Sequence, residues 1–350
     1  NRDYDVGQSV LGGFAGLSKE FQTRVEELER SAPMHAQSFT ASFVLGEMAR
    51  EAGMEFLPSS YAADPIFDGT TVKGLFVETC SGRVAVLAKV VVDTTGEASI
   101  AARSSAPMIR HVPADPSWGK MVGSPMNDPA YAYWNDTHLL VLMAGVDFAH
   151  YEACLKEEVA LSPDDERWAG QYWPKVFPKR LAPAARRAFE QRGFRIHGEI
   201  EEKVPFYVSG LEHTGRGVVS FRVGARGQID CDDAAQMARI ETFVRRKGYE
   251  FYSFMKHNCP GFEKSFMIGT SSFLGMRGGP CIEGEHVLTV EEQRDGARFD
   301  DVLYRNVHAH WACGAEASGF DVPYRCLLPK GVDGLLVAAR GASFIRRGHD

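Results

Sequence analysis

Apolar residues first recur at helical spacing at Leu17, Phe21, Val25 and Leu28, behind Ser18, whose hydroxyl is placed to cap a first turn. A second helix is predicted over Ser42–Glu51 and ends at Gly53, a residue that accepts left-handed backbone without penalty. Beyond it the period drops to two. Met54–Leu57, Val72–Glu78 and Arg83–Val92 are predicted as strands, with Asp68-Gly69 and Ser81-Gly82 as turns. The run Val90-Val91-Val92 is continuous and β-branched, which predicts a strand buried on both faces.

Further along, residues 108–135 are rich in Pro, Gly, Asn and Trp and predict an ordered loop region. His138–Val146 predicts a strand, and 147–159 and 182–192 predict helices. Val204–Val208 and Gly217–Val223 return to strand pattern. Asp232 to about Lys256 is the longest helical segment, with Asp232 and Asp233 suited to its positive N-terminal end. Val322–Leu328 and Leu335–Ala339 predict short strands. Helices alternate with strands without a clean linker, so the expected class is α/β or mixed α+β. No internal repeat or low-complexity tract interrupts the pattern.

Composition narrows the function classes. The chain has 350 residues, 44% hydrophobic and 24% charged, which is a globular profile able to form a core without disulfide staples. A net charge of −7 gives no electrostatic support to nucleic-acid binding. No uncharged apolar run approaches the ~20 residues of a spanning helix, Leu139–Val146 being strand-sized. The opening Asn-Arg-Asp-Tyr-Asp has no apolar core behind a basic start, so no secretory signal is read there. The absent initiator Met points to a processed or partial chain. Seven scattered cysteines form no CxxC pair, and the expectation is reduced thiols in a cytoplasmic protein.

Two segments carry candidate chemistry. Val90-Val91-Val92-Asp93-Thr94-Thr95-Gly96-Glu97 runs from an apolar strand into a tight turn and a small-residue helix. In open α/β sheets, ligands sit beyond such carboxyl ends, where backbone approaches closely and helix N–H groups point outward. Leu335-Leu336-Val337-Ala338-Ala339-Arg340-Gly341 ends alike, with one arginine placed to meet an anion. Alone, each is also an ordinary structural connection.

Together they resemble a family. Asp93-Thr94-Thr95-Gly96-Glu97 is similar to the DATGD segment of FAD-dependent oxidoreductases related to fumarate reductase and succinate dehydrogenase flavoproteins. Leu274–Arg277 with Ile282–Thr289 resembles their IGIRESRRIxGEYVLT stretch, and Pro260–Glu263 matches PGFE. Val322–Asp333, continuing through Arg340, resembles IPYRSLIPKGVDNLLVAGR. The matches keep their order over roughly residues 12 to 350. The resemblance implies a Rossmann-like FAD-binding domain, incomplete at both ends, with an inserted mixed α+β substrate domain. The expected division is 1–103 and 271–350 for FAD and 104–270 for substrate.

The departures are specific. No GxGxxG occurs in the 350 residues, and the flavin segment expected after LLVAGR is absent. RESRR has become Arg277-Gly278-Gly279-Pro280-Cys281, and the GDGD turn is Gly96-Glu97-Ala98-Ser99. The first two gaps predict weak or absent FAD binding by this chain alone, with a missing segment or second chain completing the site. The last two suggest a divergent small-molecule substrate.

The resemblance assigns Thr95, Gly96, Glu97, Arg340 and Gly341 to the cofactor. Glu97 would accept from flavin ribityl hydroxyls, or else serve as an acid at the N-terminal end of the next helix. Arg277 would hold a substrate anion through its bidentate fork, or else form a surface ion pair with Glu283 or Glu285. His308 and His310 share a face if their segment is a strand, and either has the pKa to accept a substrate proton. Without a third ligand at a recognisable spacing, no metal site is assigned to them. The expected function is hydride transfer between a small organic substrate and flavin. The alternatives are a non-catalytic flavoprotein-like binding subunit and a metal-dependent enzyme using the histidine pair.

Overall fold

The computed structural model describes residues 16–31, 37–109, 135–158, 182–201, 204–215, 217–277, 279–306 and 319–345. In chain order the elements are α1 (Gly16–Ser31), α2 (Gln37–Glu51), β1 (Tyr61–Asp68), β2 (Thr71–Thr79), β3 (Gly82–Leu87), β4 (Val91–Asp93), α3 (Ser99–Arg103) and β5 (Met108–Ile109). There follow β6 (Asn135–Ala144), α4 (Phe148–Glu158), α5 (Ala182–Gln191), β7 (His197–Glu201), β8 (Val204–Gly215), β9 (Val218–Gly227) and α6 (Ala234–Asn258). The last are β10 (Phe266–Thr270), β11 (Gly275–Arg277), β12 (Cys281–Ile282), α7 (Val290–Asp295), β13 (Val302–Asn306), β14 (Phe320–Pro323) and β15 (Leu335–Val337). Short 3-10 turns follow β14 at Tyr324–Leu327 and β15 at Ala339–Gly341.

The described residues form two compact units. The first draws on Asn1–Met54, Asp136–Arg226 and Asp233–Gly275, the second on Glu55–Asn135, Gly227–Asp232 and Met276–Asp350.

In the first unit, strands run in the order β10-β6-β9-β8-β7. The long helix α6 covers one face of this sheet, because Ile240, Val244, Gly248, Phe251 and Met255 repeat at three and four and are buried. Gly248 is what lets it approach: a Cβ there would lie 3.0 Å from Val141 Cγ2. Phe221 and Phe251 meet edge to face at 4.4 Å, and Phe206 packs on Phe243 at 5.1 Å. Asp233 caps the helix, its carboxylate accepting from Ala235 N at 2.9 Å and Gln236 N at 3.0 Å. On the other face Asp136, His138, Ser220 and Arg222 are buried. There the Tyr207 hydroxyl donates to Asp136 at 2.6 Å and the Arg226 guanidinium stacks on the Tyr207 ring at 4.8 Å. Burial beside the Asp136 carboxylate pushes the Tyr207 phenol up. Helices α1 and α2 form a separate hairpin around Val25, Ala41 and Val44.

In the second unit, β1-β2-β3 is an antiparallel meander and β15 pairs parallel with β4, Leu335 opposite Val91 and Val337 opposite Asp93. Its core joins Val72, Val91, Ile100, Ala101, Ile282, Leu335 and Val337. A smaller cluster gathers Leu288, Phe320, Val322 and Cys326.

Several expectations from the pattern are corrected. Met54–Leu57 is irregular and exposed, and the strand starts at Tyr61, after the turn. Arg83–Val92 is two strands, broken at Ala88-Lys89-Val90. Val90 and Val92 are 52% and 51% exposed, so the β-branched run is buried on one side only. Val322–Leu328 leaves the strand at Pro323, whose ring cannot continue a ladder, and coils into a 3-10 turn. No helix among the described residues is long and apolar enough to cross a membrane.

Candidate functional site

Strand β4 ends at Asp93, and this side chain organises the turn that follows. It is 2% exposed. Its Oδ1 accepts from Thr95 N at 3.0 Å and from Thr95 Oγ1 at 2.7 Å; its Oδ2 accepts from Ile100 N at 2.9 Å and Ala101 N at 3.0 Å. The Thr95 hydroxyl in turn accepts from Ser99 N at 2.8 Å. Two side chains therefore consume the first N–H groups of α3, the groups a helix otherwise offers to an anion. Ala98 precedes the helix in left-handed backbone at φ +52°.

The second tip lies alongside. Ala338 N donates to Asp93 O at 2.9 Å, extending the parallel pairing by one residue. Ala339 turns left-handed at φ +61°, which aims Arg340 back across the first tip. The Arg340 guanidinium reaches Glu97 Oε1 at 3.3 Å, both side chains being half-buried. Gly96, at φ +91°, is bare where the guanidinium passes: a Cβ there would sit 2.9 Å from Arg340 Nη2. Gly341 is bare against Ala98: a Cβ added there would sit 2.7 Å from Ala98 Cβ.

A third segment closes on the same place. Gly279, at φ +84°, has its open side within 3.4 Å of Glu97 Cγ and 3.6 Å of Cys231 Sγ, measured from an added Cβ. Burial, with Asp232, Glu97 and Asp230 nearby, pushes the Cys231 thiol up to about 12. Asn135 accepts from Gly279 N at 2.6 Å and donates to Ile229 O at 2.5 Å.

Of the residues singled out in the sequence, Thr95, Gly96, Glu97, Arg340 and Gly341 are brought together, while Arg277 ends β11 with only its main chain described. His308 and His310 lie outside the described residues. Among the described residues no group of three or more His, Cys, Asp or Glu is arranged to hold a metal ion. Asp93 was treated in the sequence as the end of a strand; its work as a cap was signalled only by an acid upstream of a small-residue helix. Asn135 carried no signal.

The sequence model of the FAD-dependent oxidoreductase family matches residues 4–346, so the chain belongs to that family, a family of enzymes whose cofactor is FAD. No curated protein sequence matches the chain. Among solved structures, a geranylgeranyl bacteriochlorophyll reductase-like protein from Thermoplasma acidophilum shares 15% identity over 68% of this chain and 42% of its own, with a TM-score of 0.32. The myxobacterial chondrochloren halogenase CndH, described as a variant of FAD-dependent halogenases, shares 8% over 89% of this chain and 46% of its own, with a TM-score of 0.36. Pyridoxine 4-oxidase from Mesorbium loti shares 11% over 82% and 53%, with a TM-score of 0.21. The chain spans less than half the length of the first two. Likenesses this distant carry no argument about site or substrate.

The tips fit FAD unevenly. The half-buried Gly96 backbone and the Glu97–Arg340 pair beside it offer donors and acceptors suited to uncharged polar groups such as ribityl hydroxyls. The end of α3 does not fit the pyrophosphate: its donors are taken, and a carboxylate stands where two phosphate charges would need to rest.

Proposed function

We propose that this chain belongs to an enzyme that transfers a hydride between a small organic substrate and FAD. The observation that carries the proposal is the parallel pairing of β4 with β15, which sets Thr95-Gly96-Glu97 against Arg340-Gly341 within a chain of this family. FAD, when bound, supplies the site that takes up or returns the hydride. Gly96 would contact the cofactor through backbone, Glu97 would accept from its hydroxyls, and Arg340 would hold Glu97 in place. Thr95 and Gly341 would shape the turns on either side. Arg277 would bind the substrate's anionic group in a bidentate fork, and His308 or His310 would take the substrate proton as hydride leaves. In this proposal residues 1–103 and 271–350 belong to a Rossmann-like cofactor domain and 104–270 to an inserted substrate domain. The pyrophosphate would rest on a further segment or second chain, because the end of α3 is closed to it.

That closed end also favours a second reading, a flavoprotein-like binding subunit that performs no chemistry. Purified protein decides between the two. Saturable quenching of flavin fluorescence when FAD is added in excess to the purified chain, weakened in Glu97→Ala, supports the enzyme. A colourless preparation that FAD in excess never bleaches or quenches supports the subunit.

A further inference from the structure

The Asn135 side chain ties together the two segments that lie beside Glu97. Its amide oxygen takes the N–H of Gly279, and its amide nitrogen gives to the carbonyl of Ile229, two residues before Cys231. A Cβ added at Gly279 would lie 3.4 Å from Glu97 Cγ and 3.6 Å from Cys231 Sγ, so its backbone runs beside both side chains. Gly279 adopts left-handed backbone that glycine tolerates, and its N–H is held by the Asn135 amide oxygen at 2.6 Å. Glu97 in turn carries Arg340, and Arg340 crosses Gly96. A continuous line of contacts therefore runs from Asn135 to the pair assigned to the cofactor. Two hydrogen bonds to main-chain groups from two separated stretches of sequence are more than a surface asparagine needs for its own satisfaction.

We propose that Asn135 is a positioning residue of the cofactor site: through Gly279 it fixes the wall against which Glu97 lies, and so the direction in which the Glu97–Arg340 pair presents its polar atoms. The proposal rests on the assignment of that pair to FAD. The same anchor sets the main chain two residues past Arg277.

The test uses two variants of the full chain. Asn135→Ala removes both hydrogen bonds; Asn135→Asp keeps an acceptor for Gly279 N–H but sets a carboxylate oxygen against the Ile229 carbonyl. Alkylation of Cys231 by iodoacetamide, followed site by site with mass spectrometry, reads whether Gly279 still covers the thiol and needs no flavin. It is expected to rise at least about fivefold in the Ala variant, the change when a local opening costs about 1 kcal/mol less. In the Asp variant it should rise less than in the Ala variant, because Gly279 keeps its acceptor. FAD titration of the same proteins should show the dissociation constant weakened about tenfold in the Ala variant and partly rescued in the Asp variant. Unchanged Cys231 alkylation in the Ala variant overturns the proposal. So does raised alkylation with an unchanged FAD constant, since Asn135 would then be structural only. If the wild-type chain takes up no FAD at any concentration, the cofactor assignment of the pair fails instead. The alkylation ratio and its rescue then pass or overturn the anchoring of Gly279 by themselves.

Discussion

Glu97 Oε1 lies 3.3 Å from Arg340 Nη2, an ion pair that joins two strand tips 243 positions apart in the chain. The pair is half-buried and its guanidinium occupies the space that Gly96 leaves by having no Cβ. Gly96→Ala therefore carries two penalties, a left-handed alanine and a contact 2.9 Å from Arg340 Nη2. We expect it to cost about 1–2 kcal/mol of stability and to displace Arg340. Thermal unfolding reads the first effect. A Gly96→Ala chain that unfolds like wild type would mean the tip adapts freely.

The two left-handed alanines are natural counterparts. Ala98 and Ala339 stand where the resembling segments have glycine, in GDGD and LLVAGR, and adopt φ +52° and +61°. Ala339 is exposed, so removing its Cβ costs little packing. Ala339→Gly should stabilise the chain by about 1 kcal/mol, as expected when a strained residue gives way to one that tolerates positive φ. Ala98 is 1% exposed and its Cβ meets Gly341, so Ala98→Gly should gain less. A loss of stability in Ala339→Gly would show that the turn is not strained.

Asp93 is the most economical point at which to break the first tip. It satisfies four donors from a buried position. Asp93→Ala should cost about 3 kcal/mol or more, because several donors lose a partner they cannot replace with water. Asp93→Asn should cost less, since one amide oxygen still accepts. Chemical denaturation of the three proteins gives the ranking, and equal midpoints for wild type and Asp93→Ala would contradict it.

The Cys231 thiol gives a pH signature. Its folded pKa is raised to about 12 from an ordinary value of 9.0, so the folded chain holds the proton more tightly than the unfolded one. The stabilisation is present below pH 9 and is lost as pH rises toward 12. Site-resolved alkylation of Cys231 should keep accelerating well above pH 9. A Cys231 profile that levels off near pH 9, the ordinary thiol value, would place the thiol in water.

How far the sequence reached depends on how local each determinant is. The helix over Ala234–Asn258 was legible because its cap, Asp233, and its buried repeat from Ile240 to Met255 lie within one stretch. The two strand tips were legible because apolar runs end in small residues. Their pairing, the Glu97–Arg340 contact and the role of Asn135 were not, since each depends on residues about 100 positions apart or more. The strand expected over Met54–Leu57 failed because a short apolar stretch has no period that separates a strand from a loop passing beside a helix. Arg83–Val92 was read as one strand because β-branched residues flank Ala88-Lys89 on both sides, hiding the break. The closed end of α3 was missed for a different reason. A strand–turn–helix looks the same in sequence whether a ligand or its own aspartate satisfies the helix.

That closed end makes FAD binding by the isolated chain the decisive measurement. No GxGxxG occurs in the 350 residues, and the N–H groups of α3 are committed to Asp93 and Thr95. Among the described residues, what is left at the two strand tips to hold FAD is the surface around Gly96, Glu97 and Arg340. Without the charge-assisted hydrogen bonds that α3 would otherwise give to pyrophosphate, each worth about 1.5–3 kcal/mol, affinity should fall by several orders of magnitude. Titrating FAD into the purified 350-residue chain and following flavin fluorescence should therefore show weak binding, far above micromolar and further weakened by Glu97→Ala. Stoichiometric binding at micromolar FAD would show that the chain seats the pyrophosphate itself, and would contradict the division of labour drawn here between the strand tips and a separate phosphate-binding segment.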